Sequence, residues 1–256
     1  MENITAICNA ELAQFESWAI ANRLSINIDK TKCLLISNVF QSDNINIFLN
    51  GQCLEFVHFT KFLGVTIDDK LKYVKHVEEI CCKVSKSLGI IYRIRDFIPN
   101  SCLRNLYFNL IHPYMIYCLP IFGATYDNHL QPLILLQKRA IRTISRAGYF
   151  DNTEPLFKAR QILKFKDLYK HSTACYIFKN QNLLNSFARA HDHNTRNRNL
   201  LLPPLERLRS TNQSVIFNGV SIWNNIPENI KLCRTLNNFK YKYRKYLLDQ
   251  YSLIDE

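Results

Sequence analysis

The stretch LQPLILLQKRAIRTISRAG, residues Leu130–Gly148, sorts into two faces when wound as a helix. Leu133, Leu136, Ala140, Ile141 and Ile144 recur at three- and four-residue steps, whereas Lys138, Arg139, Arg142 and Arg146 lie outside that stripe. A solvated surface helix normally mixes charge signs at four-residue spacing, and this stretch contains no acid. The pattern predicts a helix that packs on one side and meets negative charge on the other. A surface helix with a solvated basic face is the competing reading of the stretch in isolation.

The charge distribution favours the first reading. The net formal charge is +12, yet residues 1–128 carry 12 basic and 12 acidic side chains, so the whole excess falls after position 128, where 21 bases face 9 acids. A cationic half joined to a neutral half is the footprint of a polyanion-binding protein, and nucleic acid is the commonest polyanion. No run of eighteen apolar residues occurs, and Met1 to Glu11 lacks a basic segment followed by an apolar one, so neither a membrane span nor a membrane partner is expected.

At 256 residues and 47% hydrophobic content the chain can bury a substantial core, as one large domain or two smaller ones. Nine cysteines, an odd number with no CxxC spacing, sit mostly in apolar-periodic segments. That usage points to free thiols in an intracellular compartment, nucleus or cytoplasm, rather than to disulfides. No metal site is expected, because His191 and His193 have no cysteine close in sequence.

Residues 3–23 read as a helix whose buried side includes Ile4, Ile7, Leu12, Phe15 and Trp18, and its position at the first residues suggests a chain cut from a longer protein. Cys33 to Ile36 is an apolar run of strand length, and Asn50-Gly51 between two alternating runs predicts a type I′ hairpin. Lys61 to Asp68 reads as one further strand, with Gly64 marking a bulge or a close backbone approach. The strands are expected to form a small antiparallel sheet. From Leu71 the period becomes helical, giving one helix to about Phe97, a second from Leu103 that Pro113 interrupts, and the basic helix as a third. Leu156–Asn180 reads as one or two helices and Lys231–Tyr246 as a closing helix. Gly219, Trp223 and Ile226-Pro227 suggest a tight apolar junction, and His193–Arg209 reads as a polar linker.

Several of these words occur in a recognisable order. Trp18, Leu24-Ser25-Ile26-Asn27, Lys30-Thr31 and Phe62-Leu63-Gly64-Val65 with Ile67-Asp68 resemble the end of the palm of reverse transcriptases from non-LTR retrotransposons. Leu106-Tyr107, Leu110-Ile111, Pro113, Tyr117, Gln137–Arg142 and Pro155-Leu156-Phe157 resemble the thumb and connecting region of the same polymerases, and Trp223-Asn224, Pro227 and Phe239-Lys240 continue the likeness. The resemblance covers nearly the whole chain. It implies an α+β fold in three parts: a partial palm over 1–70 with a primer-grip-like strand, a helical thumb over 71–148, and a basic, mostly helical connector over 149–256.

The resemblance also implies roles. Lys30 matches a lysine that assists proton transfer in an intact enzyme; a surface lysine at a strand entry is its ordinary reading. Phe62, Leu63 and Gly64 match the primer grip, and Lys138, Arg139, Arg142 and Arg146 would hold primer-template phosphates. Arg196 and Arg198 are further candidates for phosphate contact, although a solvated loop explains them as simply. The implied partners are RNA, DNA or an RNA-DNA hybrid, and the missing N-terminal part of the polymerase.

One departure outweighs any single match. Such polymerases hold two metal ions, Mg2+ in the intact enzyme, with aspartates that include an adjacent pair in a short hairpin upstream of the region matched here. That hairpin and the nucleotide-binding fingers are absent. The adjacent pair Asp68-Asp69 follows the primer-grip-like strand, where a turn or capping role is expected. No cofactor is therefore expected for this chain, which alone should not polymerise DNA. A non-catalytic protein-interaction module and a non-functional transposon remnant are the alternatives.

Overall fold

A computed structural model describes residues 2–37, 45–181, 201 and 214–251. The chain divides into two compact units, Met1–His76 and Val77–Glu256.

In the first unit, helix α1 (Glu2–Ala21) packs on β2 (Phe48–Leu49) and shares a core with residues of β1 (Lys32–Cys33) and β4 (Glu55–Phe56), while β3 (Gln52–Cys53) pairs with β2 and is exposed. Ile45, Ile47, Leu49 and Leu54 form the core, joined by Cys8, Leu12, Ile26 and Cys33. The expected burial of Ile4, Ile7, Phe15 and Trp18 is not realised, all four being exposed, whereas Leu12 of the same expected side packs on the core with Cys8 and Ala19 is buried. Polar side chains set this rotation. The Asn9 amide donates to the Asn46 carbonyl (3.1 Å) and its oxygen accepts from the Phe48 amide (2.9 Å), while Glu16 accepts from the Asn50 amide. Turning α1 to bury the Ile4 row would leave those strand groups unpaired.

Asn50 and Gly51 both have positive φ (49° and 70°) and join β2 to β3 as the type I′ turn expected. The Lys61–Asp68 segment is not one bulged strand. Strands β5 (Phe59–Phe62) and β6 (Val65–Asp68) pair antiparallel through a second two-residue turn, with Leu63 at φ 46° and Gly64 at φ 84°. The two hairpins are antiparallel as expected, whereas β1 pairs with β4 in parallel, with Lys32 opposite Glu55 and their side chains 2.6 Å apart. Asp68 takes the turn role: its carboxylate accepts from the backbone amides of Lys70 (3.0 Å), Lys72 (3.0 Å) and Tyr73 (2.5 Å).

The second unit is helical. It contains most of α2 (Val74–Ile94), then α3 (Asn100–Leu110), α4 (His112–Ile116), α5 (Leu119–Phe122), α6 (Asp127–Ser145), α7 (Thr153–Ala159), α8 (Phe165–Lys179), α9 (Val215–Asn224), α10 (Glu228–Lys231) and α11 (Leu236–Asp249). Pro113 enters the first turn of α4 and Cys118 adopts φ 53° before α5, so the expected second helix becomes three short segments. Tyr107, Ile111, Met115, Leu119, Phe122, Leu133, Ile141 and Phe157 are completely or almost completely buried. The apolar junction sits where α9 meets α8: a Cβ on Gly219 would lie 2.7 Å from Ile177 Cδ1, so only glycine permits that approach. Phe178, Trp223 and Phe239 stack beside it, with Phe178 and Phe239 ring centroids 4.4 Å apart.

Candidate nucleic-acid interface

Helix α6 packs against α3 and α7 through the expected stripe. Its central anchor is polar. Gln137, only 1% exposed, uses one side-chain nitrogen to donate to the Tyr107 hydroxyl (3.0 Å) and to the Leu163 carbonyl (3.0 Å). Burial, partly offset by that bond, drives the Tyr107 pKa far above its ordinary value, so the hydroxyl stays protonated. This tie fixes the rotation of α6 and therefore the direction of the next residues, Lys138 and Arg139.

The four cations of α6 have different surroundings. Lys138 borders a groove of about 490 Å³ between α6, α7 and α8, whose rim also carries Lys164, Lys166 and Lys170. Those three are paired: Lys164 with Glu154, Lys166 with Asp127 (2.6 Å) and Lys170 with Asp167 (2.9 Å). No carboxylate among the described residues pairs with Lys138. Arg139 is exposed and lines a shallow depression of about 110 Å³ against Ser85, Gly89 and Tyr92 of α2. Arg142 instead donates from Nε to the Asp151 carbonyl (2.9 Å). Arg146 ends α6 in the left-handed region (φ 53°) and donates from Nη2 to the carbonyls of Arg95 and Ile98, both at 2.8 Å, just beyond the C-terminus of α2. A cation is well placed there, because helix-end carbonyls lack partners and carry partial negative charge. Lys138 and Arg139 are thus the uncommitted pair, while Arg142 and Arg146 also hold loops.

The other candidates fall elsewhere. Lys30 closes a 3-10 turn (Ile28–Lys30) in the first unit; it is exposed, and its amide donates to Asn27 Oδ1 (3.0 Å). Phe62 and Leu63 are 62% and 75% exposed at the tip of the β5–β6 hairpin, with Gly64 completing the turn. Exposed apolar side chains on a tight turn suit a surface that another molecule covers. Arg196 and Arg198 lie outside the described residues. Asp68 does not suit a catalytic Mg2+, since its carboxylate is taken up by backbone amides.

A second cleft, of about 400 Å³, is lined by His112, His171, Cys175 and Arg244 among others. Burial and the Arg244 charge lower the His112 pKa to about 4, and burial lowers that of His171. Burial pushes the Cys175 thiol up to about 11, so the pair at 3.9 Å supplies a neutral imidazole and a protonated thiol, not a nucleophile.

The sequence reading stopped at Gly148 and missed Tyr149 and Phe150, which project from the turn after α6. The available signal was two adjacent aromatics between Arg146 and the turn residues Asp151-Asn152.

Comparison with curated proteins finds similarity to polymerases of mobile elements. It is 26% identical over 182 residues to the RNA-directed DNA polymerase from mobile element jockey of Drosophila melanogaster, covering 70% of this chain and 20% of that protein. The jockey polymerase of Drosophila funebris matches over the same shares at 24% identity. The probable RNA-directed DNA polymerase from transposon X-element of Drosophila melanogaster matches at 22% over 200 residues, 77% of this chain and 20% of its own length. The chain therefore spans about a fifth of the length of these relatives. No family model and no solved structure matches. In agreement with the motifs quoted from the sequence, the chain is similar to RNA-directed DNA polymerases of transposable elements.

Proposed function

We propose that the helical unit of this chain holds nucleic acid, as RNA, DNA or their hybrid, by its phosphates, and that the chain alone does not extend a strand. Such a role is one part of what an RNA-directed DNA polymerase needs. The observation that carries the reading is a contrast among the cations of the helical unit: Lys164, Lys166 and Lys170 are paired with carboxylates, while Lys138 and Arg139 of α6 have no carboxylate partner among the described residues. Unpaired cations held on a rigid helix bind phosphate without first breaking an ion pair. Lack of extension follows from the aspartates. The chain's one adjacent Asp pair begins with a carboxylate already bonded to three backbone amides, and metal-assisted phosphoryl transfer needs free carboxylates around two ions.

The test is the affinity of the chain for a generic RNA-DNA duplex over a range of salt concentrations. Phosphate contacts make the logarithm of affinity fall linearly with the logarithm of salt. A flat dependence would refute the reading. Primer extension with Mg2+ present should show no incorporation, and extension by the purified chain would refute the second half. The exposed row Ile4, Ile7, Phe15 and Trp18 on α1 favours a second reading, association with another polypeptide such as an upstream polymerase segment, which salt would not weaken in this way.

A further inference from the structure

Phe150 and Phe97, at 92% and 87% exposed, are the most exposed large apolar side chains among the described residues, and Tyr149 is 76% exposed. The two loops that carry them are tied together at one end of the helical unit. Arg146, by donating to the carbonyls of Arg95 and Ile98, ties the loop that carries Phe97 to the end of the helix that leads into Tyr149-Phe150. The turn itself is fixed: the Gly148 amide donates to Asp151 Oδ2 (2.7 Å), and the Asp151 carbonyl accepts from Arg142 Nε (2.9 Å). The Tyr149 and Phe150 rings meet edge to face, with centroids 4.9 Å apart and planes at 87°. The backbone that carries the rings is fixed, so covering them does not require ordering a loop.

Charge selects the occupant. Arg93, Arg95, Arg142 and Arg146 lie in or beside the two loops against Asp96 and Asp151. Arg95 pairs with Asp96 (3.5 Å), and Arg142 and Arg146 each spend part of their guanidinium on loop carbonyls. The Asp151 carboxylate is engaged by the Gly148 amide, so the loops keep a net positive charge with Arg93 exposed. An apolar peptide would cover the rings and leave the net positive charge of the loops unanswered. A simple anion would answer the charge and leave the rings in water. A nucleotide carries a flat ring and a phosphate together.

We propose that Phe97, Tyr149 and Phe150 form a stacking platform for the base of an unpaired nucleotide, with the neighbouring arginines on its phosphate. The inference rests on the phosphate-holding reading and adds a base-dependent component to it. Stacking on an aromatic side chain is sequence-tolerant and contributes roughly tenfold in affinity per base.

The test uses the full chain with two single-stranded DNA probes of equal length: one of thymines carrying a central 2-aminopurine, the other abasic throughout. The chain is expected to bind the base-containing strand about tenfold more tightly and to quench the 2-aminopurine fluorescence. Replacing Tyr149→Ala and Phe150→Ala together should remove that preference and the quenching while leaving abasic affinity unchanged. Phe150→Trp should retain both. All three positions are exposed, so circular dichroism should be unaltered. Equal affinity of the unsubstituted chain for the two strands overturns the platform and leaves the phosphate reading standing. Binding to neither overturns both. Concentration-dependent self-association abolished by the double substitution assigns the patch to a second copy and overturns the platform as well.

Discussion

Replacing Gln137 by Leu keeps the volume of the side chain and removes the polar tie at the centre of the helical unit. The substitution leaves the Leu163 carbonyl and the Tyr107 hydroxyl without their partner in a site that is 1% exposed at Gln137. The hydroxyl retains only the Met115 sulfur at 3.9 Å, a weak acceptor. Each unsatisfied buried group costs about 1–3 kcal/mol, and the added apolar surface returns roughly 1 kcal/mol, so with two such groups the net loss should be about 1–5 kcal/mol. For a unit of this size that corresponds to a fall in Tm of roughly 2–20 °C. Tyr107→Phe should cost less, about 1 kcal/mol, because Gln137 keeps its bond to Leu163. In the double variant the two losses should not add; a coupling of about 0.5–1.5 kcal/mol is expected for residues in direct contact. Urea and thermal unfolding followed by circular dichroism measure all four corners of the cycle. A Gln137→Leu chain within about 0.5 kcal/mol of the unsubstituted one would refute the argument that this bond sets the rotation of α6.

Three other outcomes follow from the same structure. Arg142→Gln and Arg146→Gln should each lower stability by roughly 1 kcal/mol, because each loses a bond to a loop carbonyl, whereas Lys138→Gln and Arg139→Gln should leave thermal unfolding unchanged. Stability should decline as pH falls below about 6.5: His112 is held near 4 in the folded chain by burial and by Arg244, so between those values the unfolded state takes up a proton that the folded state refuses. His112→Gln should flatten that pH dependence in denaturant titrations. Gly219→Ala should destabilise by about 1–3 kcal/mol, since its methyl would press on the stiff, fully buried Ile177, while Gly89→Ala on α2 meets nothing within 4 Å and should stabilise by roughly 0.5–1 kcal/mol.

Where local chemistry decided the structure, the residues announced it. Asn50-Gly51 turned as the pair required, and the stripe of α6 was buried as its spacing demanded. Leu63-Gly64 was harder to read because a leucine rarely adopts positive φ, so alternation across it looked like one strand with a bulge rather than two strands and a turn. The rotation of α1 was legible only in part: Leu12 and Ala19 turn inward, but Ile4, Ile7, Phe15 and Trp18 stay exposed. Its apolar residues occupy two neighbouring rows, and the choice between them is made by Asn9 and Glu16 bonding to backbone groups more than thirty positions away. The basic face of α6 shows the same limit at the candidate site. An arginine that meets phosphate and one that caps a carbonyl have identical spacing, and only the path of the chain around Arg95, Ile98 and Asp151 separates Arg142 and Arg146 from Lys138 and Arg139.

That separation gives the most direct test of phosphate holding by α6. The measurement is the salt dependence of duplex affinity for the unsubstituted chain and for the chain carrying Lys138→Gln with Arg139→Gln. Each lost phosphate contact should reduce the slope of log affinity against log salt by about 0.9, so the double variant should bind more weakly with a slope shallower by roughly 1.8. A folded double variant with unchanged affinity and slope would contradict the assignment of α6 as the strand-holding surface.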